Sequence, residues 1–346
     1  MSNTVWEKEI SQIKEMGLLG RVDPKQMPLR LHWAMSGLCL HIRCSELHIE
    51  LEAAYSDLAL WGAVLIDGAV ISRFPLKRGR HWYTVLMGMD PLEAHEVSIV
   101  RDTQPIAEDP AMRLTLHSVR SDGELLPVEP AALTVEFIGD SLTSGEGCVG
   151  PVNAMEWKTV YISAANTYAQ MVCRDLHARG RWLSMSGWGV TSSWDGDREC
   201  RLPRVYNDLC DLESDGHVPY DFAGDPADLV VINLGTNDAN ALSQLPREQQ
   251  PARRQEIQKD AEDFIRRIRA KNPGAYILWA YGMCGAPLGR TLRKAVETVR
   301  QAGDLRVGYL ALPVGRADEI GSRAHPGIPA HRRTAKAILD YWRQIK

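Results

Sequence analysis

Up to about residue 130 the chain is written in short runs. Strand-type stretches follow one another at 31–35, 38–43, 47–51, 59–66, 82–87, 96–100 and 113–119, punctuated by Gly, Pro, Asp and Ser. Helical spacing occurs near the start, where Trp6, Ile10 and Ile13 predict a short amphipathic helix. Many short strands at regular spacing predict a sandwich of the jelly-roll kind. The turn-rich, polar stretch 121–130 reads as a linker. Beyond it the rhythm changes. Strand-like runs at 133–138, 182–185, 229–234, 276–280 and 307–312 alternate with helical stretches near 167–178, 253–271, 288–301 and 333–345. Residues 229–234 (LVVINL) are apolar on both faces, as a buried parallel strand should be. The pattern therefore predicts an all-β, jelly-roll-like sandwich over 1–130. An α/β domain over 131–346 follows, built on a doubly wound parallel sheet.

Composition narrows the class without changing this division. The 346 residues are 45% hydrophobic and 24% charged, with a net charge of −4. That is enough chain for two domains with ordinary cores. The mild acidity gives no electrostatic footprint for nucleic acid. The longest apolar run, 58–66, is half the ~18–20 residues of a membrane span. The opening MSNTVWEKEISQ lacks the apolar core of a secretory signal, so a cytoplasmic protein with no membrane partner is expected. Seven cysteines occur without a CxxC pair. Cys39 and Cys44 fall in a strand-like alternation that points them to opposite faces, so packed thiols are expected there rather than a metal site.

The residues able to do chemistry gather just after the strands of the second half. Gly139-Asp-Ser141-Leu follows the first, placing Ser141 where α/β sheets collect their active groups. Gly145-Glu-Gly147-Cys-Val-Gly150 is formally a GxGxxG. It begins seven residues past the strand and leads into Pro151 rather than a helix, so a dinucleotide site is not supported. Ser184-Met-Ser-Gly187-Trp-Gly189 ends the second strand, where a glycine N–H could face developing negative charge; either Gly187 or Gly189 is placed for this. Gly235-Thr-Asn237-Asp238 ends the third, offering the Asn237 amide as a second such donor. His325, before Pro326, is the histidine at a sheet edge; His217 lies in an Asp/Gly-rich loop and His331 near the start of the last helix.

Taken in order, the GDSL, glycine, GxND and HP blocks resemble the SGNH/GDSL hydrolase superfamily. The sandwich placed before them, and Trp279-Ala-Tyr281-Gly-Met-Cys-Gly285 after the fourth strand, look like carbohydrate esterase family 2. That resemblance implies a serine esterase that removes O-acetyl groups from hemicellulose-derived mannan or xylan oligosaccharides, with no cofactor or metal. It implies Ser141 as nucleophile, His325 as general base, and an oxyanion site made of the N–H groups of Ser141 and Gly187 with the Asn237 amide. An SGNH lipase or acylesterase of other specificity, an acetyltransferase and a non-catalytic glycan-binding protein are the alternatives. One position departs from the pattern: the aspartate that usually stands three residues before the histidine is Ser322 here. Asp318 is the candidate third member, with Glu319 beside it. A backbone carbonyl could orient the imidazole instead, or the protein could be a weakened relative. Among Trp188, Trp194, Trp279 and Tyr281, the rings expected to stack on sugar are Trp188 and Tyr281. The oligomeric state is not encoded in any of these features.

Overall fold

The computed structural model describes residues 5–210, 212 and 218–346, so His217 lies outside the described residues. The chain divides into two compact units. One comprises Met1–Ala131, Lys158–Val160 and Leu209–Tyr220, and the other Ala132–Trp157, Tyr161–Asp208 and Asp221–Lys346.

The first unit is all-β. Its strands begin with β1 (Trp6–Glu9), β2 (Met16–Leu19), β3 (Leu29–Arg30), β4 (Gly37–Arg43) and β5 (Glu46–Ala54). They continue with β6 (Trp61–Ile66), β7 (Ala69–Pro75), β8 (Gly79–Met87), β9 (His95–Arg101), β10 (Arg113–Ser121) and β11 (Glu124–Leu126). One antiparallel sheet runs β1-β10-β5-β8 with β3 also on β10; the other runs β11-β4-β9-β6-β7 with β2 also on β4. Period-2 patterning drives this. In β5, Leu47, Ile49, Leu51 and Ala53 are buried while His48, Glu50 and Glu52 alternate toward solvent. Leu38, Leu40 and Ile42 of β4 and Val97 and Ile99 of β9 do the same in the second sheet.

Three local expectations are corrected here. The helix expected at Trp6, Ile10 and Ile13 is β1 followed by a single 3-10 turn, Ile10–Gln12. Trp6 to Glu9 pair with Ser118–Ser121 of β10, and an isolated helix of that length could not hold itself together. The strand expected at 31–35 retreats to β3, and Trp33–Ser36 turns so that the buried Trp33 indole N–H donates to the Leu209 carbonyl at 2.7 Å. The stretch expected to be linker contains β11, paired with β4.

The second unit is α/β. Its elements are β12 (Thr134–Gly139), α1 (Ser141–Ser144), α2 (Tyr168–Leu176), β13 (Arg179–Ser184), α3 (Leu202–Val205) and β14 (Leu229–Asn233). After these come α4 (Thr236–Ser243), α5 (Gln250–Lys271), β15 (Tyr276–Tyr281), α6 (Gly289–Gln301), β16 (Val307–Ala311) and α7 (Ile328–Ile345). The sheet order is β13-β12-β14-β15-β16, every pair parallel. The first strand of the unit thus lies between the second and third, so the winding reverses at β12 and β14. A doubly wound sheet opens its crevice at the carboxyl ends of those strands. Two charges are buried within the sheet. Arg181 of β13 and Glu136 of β12, partners in register, form an ion pair at 2.9 Å; Tyr206 donates to Glu136 at 3.1 Å and Asn272 accepts from Arg181 at 3.1 Å. Each buried charge is thereby paired and hydrogen-bonded, the condition under which burial is tolerated.

Candidate active site

Ser141 is the first residue of α1, directly beyond β12. Asp140 caps that turn, its Oδ1 accepting from the Leu142 N–H at 3.0 Å. Burial, opposed by that hydrogen bond and helped by the charge of Asp238, pushes the Asp140 carboxyl up to about 7.

His325 arrives from the far edge of the sheet, in the turn between β16 and α7. Its Nε2 lies 3.0 Å from Ser141 Oγ, and its Nδ1 lies 2.9 Å from the Arg323 carbonyl oxygen. A carbonyl can only accept, so Nδ1 carries the proton and the Nε2 lone pair faces the serine hydroxyl. Arg323 and the following Ala324 hold φ of +55° and +56°, an uncommon conformation for residues with a Cβ. That reversal is what turns the Arg323 carbonyl back onto the imidazole. A hydroxyl donating to an oriented neutral imidazole can pass its proton there as it attacks an electrophile.

The segment after β13 is tied to both sides of the crevice. Met185 N–H donates to the Gly139 carbonyl at 3.1 Å, and Ser144 Oγ to Ser184 Oγ at 2.9 Å. On the other side, Asn237 Nδ2 donates to the Trp188 carbonyl at 2.8 Å, which leaves its second N–H uncommitted by that bond. Asp238 accepts from three consecutive backbone N–H groups, Val190 at 3.0 Å, Thr191 at 2.8 Å and Ser192 at 3.3 Å. Gly187 adopts φ +81°, and a Cβ there would sit 3.2 Å from the Trp194 ring.

A family model described as the GDSL-like lipase/acylhydrolase family matches residues 137–325, from the strand before Ser141 to His325. The chain belongs to this family. An acetyl xylan esterase from the rumen bacterium Butyrivibrio proteoclasticus is 32% identical, superposes with a TM-score of 0.94, and is matched over 98% of both chains. A family two carbohydrate esterase from Clostridium thermocellum, solved with cellohexaose, shares the fold at 22% identity and a TM-score of 0.82, over 94% of this chain and 97% of that one. The cellulase/esterase CelE of Acetivibrio thermocellus is 23% identical over 88% of this chain. The chain spans about a third of the length of that curated relative, 36%.

Within this GDSL-family site, the structure brings Ser141 into contact with His325 and sets Gly187 and Asn237 on segments laced together through Trp188. Other expectations are corrected. Asp318 is not the third member: it is exposed on a 3-10 turn, Ala317–Glu319, and among the described residues it shows no contact with the imidazole. Glu319 is committed elsewhere, accepting from the Arg316 N–H at 2.9 Å and pairing with Arg333. Ser322, at the usual aspartate position, is fully buried with its hydroxyl against Gly150. Trp188 and Tyr281 are 5% and 1% exposed, and Trp279 is fully buried, so these rings are core and cannot stack on a sugar. Trp194, beside Gly187, is 55% exposed. At Gly189 a Cβ would run into the Ser192 carbonyl and the Asp238 carboxylate, so this position admits only glycine. His331 lies near the start of the last helix, as its position predicts. It is buried in α7, its Nδ1 accepting from the Tyr168 N–H at 3.2 Å, and burial pushes it down to about 3. Among the described residues no group of three or more His, Cys, Asp or Glu is disposed to hold a metal ion, and no helix is long and apolar enough to cross a membrane.

Three contributors were not singled out in the sequence. Asp238 was legible as half of the Asn-Asp pair. Glu146 carried a signal in its flanking glycines. Arg323 carried none, because its contribution to the imidazole is a main-chain carbonyl.

Proposed function

We propose that this chain is a carbohydrate O-acetylesterase working through a Ser141–His325 dyad. The observation that carries the reading is the Oγ–Nε2 contact of 3.0 Å with Nδ1 anchored on the Arg323 carbonyl. The 32% identity to an acetyl xylan esterase along nearly the whole chain supports the acetyl and carbohydrate parts of it. Ser141 Oγ attacks the acetyl carbonyl carbon as its proton moves to Nε2. The N–H groups of Ser141 and Gly187 and the free N–H of Asn237 Nδ2 hold the oxyanion. The tetrahedral adduct collapses, Nε2 returns the proton to the departing sugar oxygen, and an acetyl-enzyme remains. Water, deprotonated by Nε2, then releases acetate and restores the serine.

Acetylated xylan or mannan oligosaccharides are the substrates this reading favours. The exposed Trp194 ring beside Gly187 offers a face for a sugar next to the acetyl site, taking the role expected of Trp188 and Tyr281. Acetate release from acetylated xylan and glucomannan oligosaccharides, followed by mass loss per acetyl, tests the proposal. Wild-type protein should release acetate from at least one of them, and Ser141→Ala and His325→Ala should abolish hydrolysis of these and of 4-nitrophenyl acetate. Activity retained in either variant overturns the dyad. Faster cleavage of 4-nitrophenyl octanoate than of the acetate overturns the acetyl assignment.

A further inference from the structure

The dyad reading leaves the imidazolium formed during attack with only a neutral carbonyl at Nδ1, and the inference here rests on that reading. The GxGxxG-like segment after α1 supplies what is missing. Gly145 and Gly147, at φ +79° and +74°, bracket Glu146. A Cβ on Gly147 would lie 2.4 Å from the Ser322 carbonyl oxygen and 2.8 Å from His325 Cβ, so the loop can lie flush against the histidine turn only because that residue is glycine. Glu146 is thereby carried inward. It is 5% exposed, its N–H donates to the Ser141 carbonyl at 2.9 Å, and its Oε1 stands 3.8 Å from His325 Nε2.

The same oxygen accepts from Arg323 Nε at 2.8 Å. Arg323 is in turn fastened to the loop: its N–H donates to the Ala154 carbonyl at 2.8 Å and its Nη1 to the Met155 carbonyl at 3.2 Å. One residue therefore anchors Nδ1 with its carbonyl and Glu146 with its guanidinium.

We propose that Glu146, clamped by Arg323, supplies from the Nε2 side the negative charge that a triad aspartate would supply from the Nδ1 side, and so positions and stabilises His325 as the general base. Burial works to raise the Glu146 carboxyl, but the charge that His325 carries when protonated and the hydrogen bonds from Ser186 and Arg323 outweigh it and hold it below the usual range. It is a carboxylate at the pH where the base works. The other groups facing the imidazole do not duplicate this charge. His331, from α7, is held neutral by burial, and Arg323 is the counter-ion itself.

The test is the pH dependence of kcat/KM on 4-nitrophenyl acetate for the full chain. Glu146→Gln keeps the shape and can still receive the Arg323 and Ser186 hydrogen bonds, but removes the charge. It should lower kcat about tenfold to a hundredfold with KM within about threefold, and move the acidic limb about one pH unit lower. Glu146→Asp restores charge and should bring the acidic limb back toward wild type. Arg323→Met leaves the carboxylate without its counter-ion and should move the limb the other way, to higher pH. An unmoved limb in Glu146→Gln, or Glu146→Asp behaving like Glu146→Gln, overturns the proposal. Should Glu146→Gln fail to fold by circular dichroism, Arg323→Met decides, a limb unmoved or lowered counting against it. If Ser141→Ala and His325→Ala are inactive while Glu146→Gln is unaffected, this inference fails and the dyad stands. If either of the first two is active, the dyad itself fails.

Discussion

At Nδ1 of His325 a peptide carbonyl stands where a Ser-His-Asp triad places a carboxylate, and the consequences can be measured residue by residue. Asp318 is exposed and away from the ring, so Asp318→Ala should change kcat/KM by less than about twofold, as surface substitutions do. A loss above about a hundredfold would show that the carboxylate reaches the ring during turnover. On the proposed mechanism Asn237→Ala removes an oxyanion donor and should cost about 10²–10³ in kcat. It also deletes the hydrogen bond to Trp188, so part of any loss in thermal stability has that origin. Ser141 and Asn237 were legible because each is a chemically committed side chain next to a strand end, and His325 because it stands before a proline on the approach to the last helix. The Arg323 carbonyl was not, since every residue has one and only the fold aims it. Trp188 and Tyr281 misled for the complementary reason. An aromatic ring beside a loop reads alike whether it faces a cleft or the core, and burial decides.

Between elements, the working parts are held by buried acceptors rather than by the helices that carry them. Asp238 at the start of α4 collects the N–H groups of Val190, Thr191 and Ser192, fixing the segment that begins at Gly187. Asp238→Asn would set an amide N–H₂ against some of those donors, at a cost of about 1–3 kcal/mol. The expected result is a lower melting temperature together with a fall in kcat larger than any rise in KM. Loss of stability with kcat intact would show that the segment keeps its geometry without the carboxylate. The element pattern itself was largely readable, because period 2 and period 3.6 differ and the second unit alternates between them. Errors fell where pairing overrode local signal. The stretch from Trp6 to Ile13 looked helical, but β1 at its start gains its hydrogen bonds from β10, and β11 hid in a polar stretch because a short edge strand needs little apolar pattern.

Across the whole molecule, His331 and Asp140 set opposing responses to pH, and the buried Asp238 carboxyl, also raised by burial, acts in the same sense as Asp140. His331 stays neutral in the folded protein down to about 3, whereas an unfolded histidine takes its proton near 6.5. Stability from this source is lost as pH falls from 6.5 toward 3. Asp140 keeps its proton up to about 7, whereas the unfolded carboxyl releases it near 3.8, so its contribution is lost as pH rises through that window. The two slopes oppose each other between about 4 and 6.5. Melting temperatures across this range should therefore rise with pH in Asp140→Asn and fall with pH in His331→Gln, with wild type flatter than either. Parallel curves for all three proteins would contradict the burial of these groups. What the sequence determined by itself was the succession of a β-sandwich and a doubly wound α/β unit, and the four strand-end motifs. Both are written in local periodicity and in residue types with few other uses. Tertiary structure decided what rests on contacts between residues far apart in the chain: a carbonyl in place of Asp318, Glu146 carried to within 3.8 Å of His325 from 179 positions away, and which tryptophan meets solvent. Such contacts follow from where the chain reverses at Gly147 and Arg323, and the burial that gives them their strength exists only once the sheet has assembled.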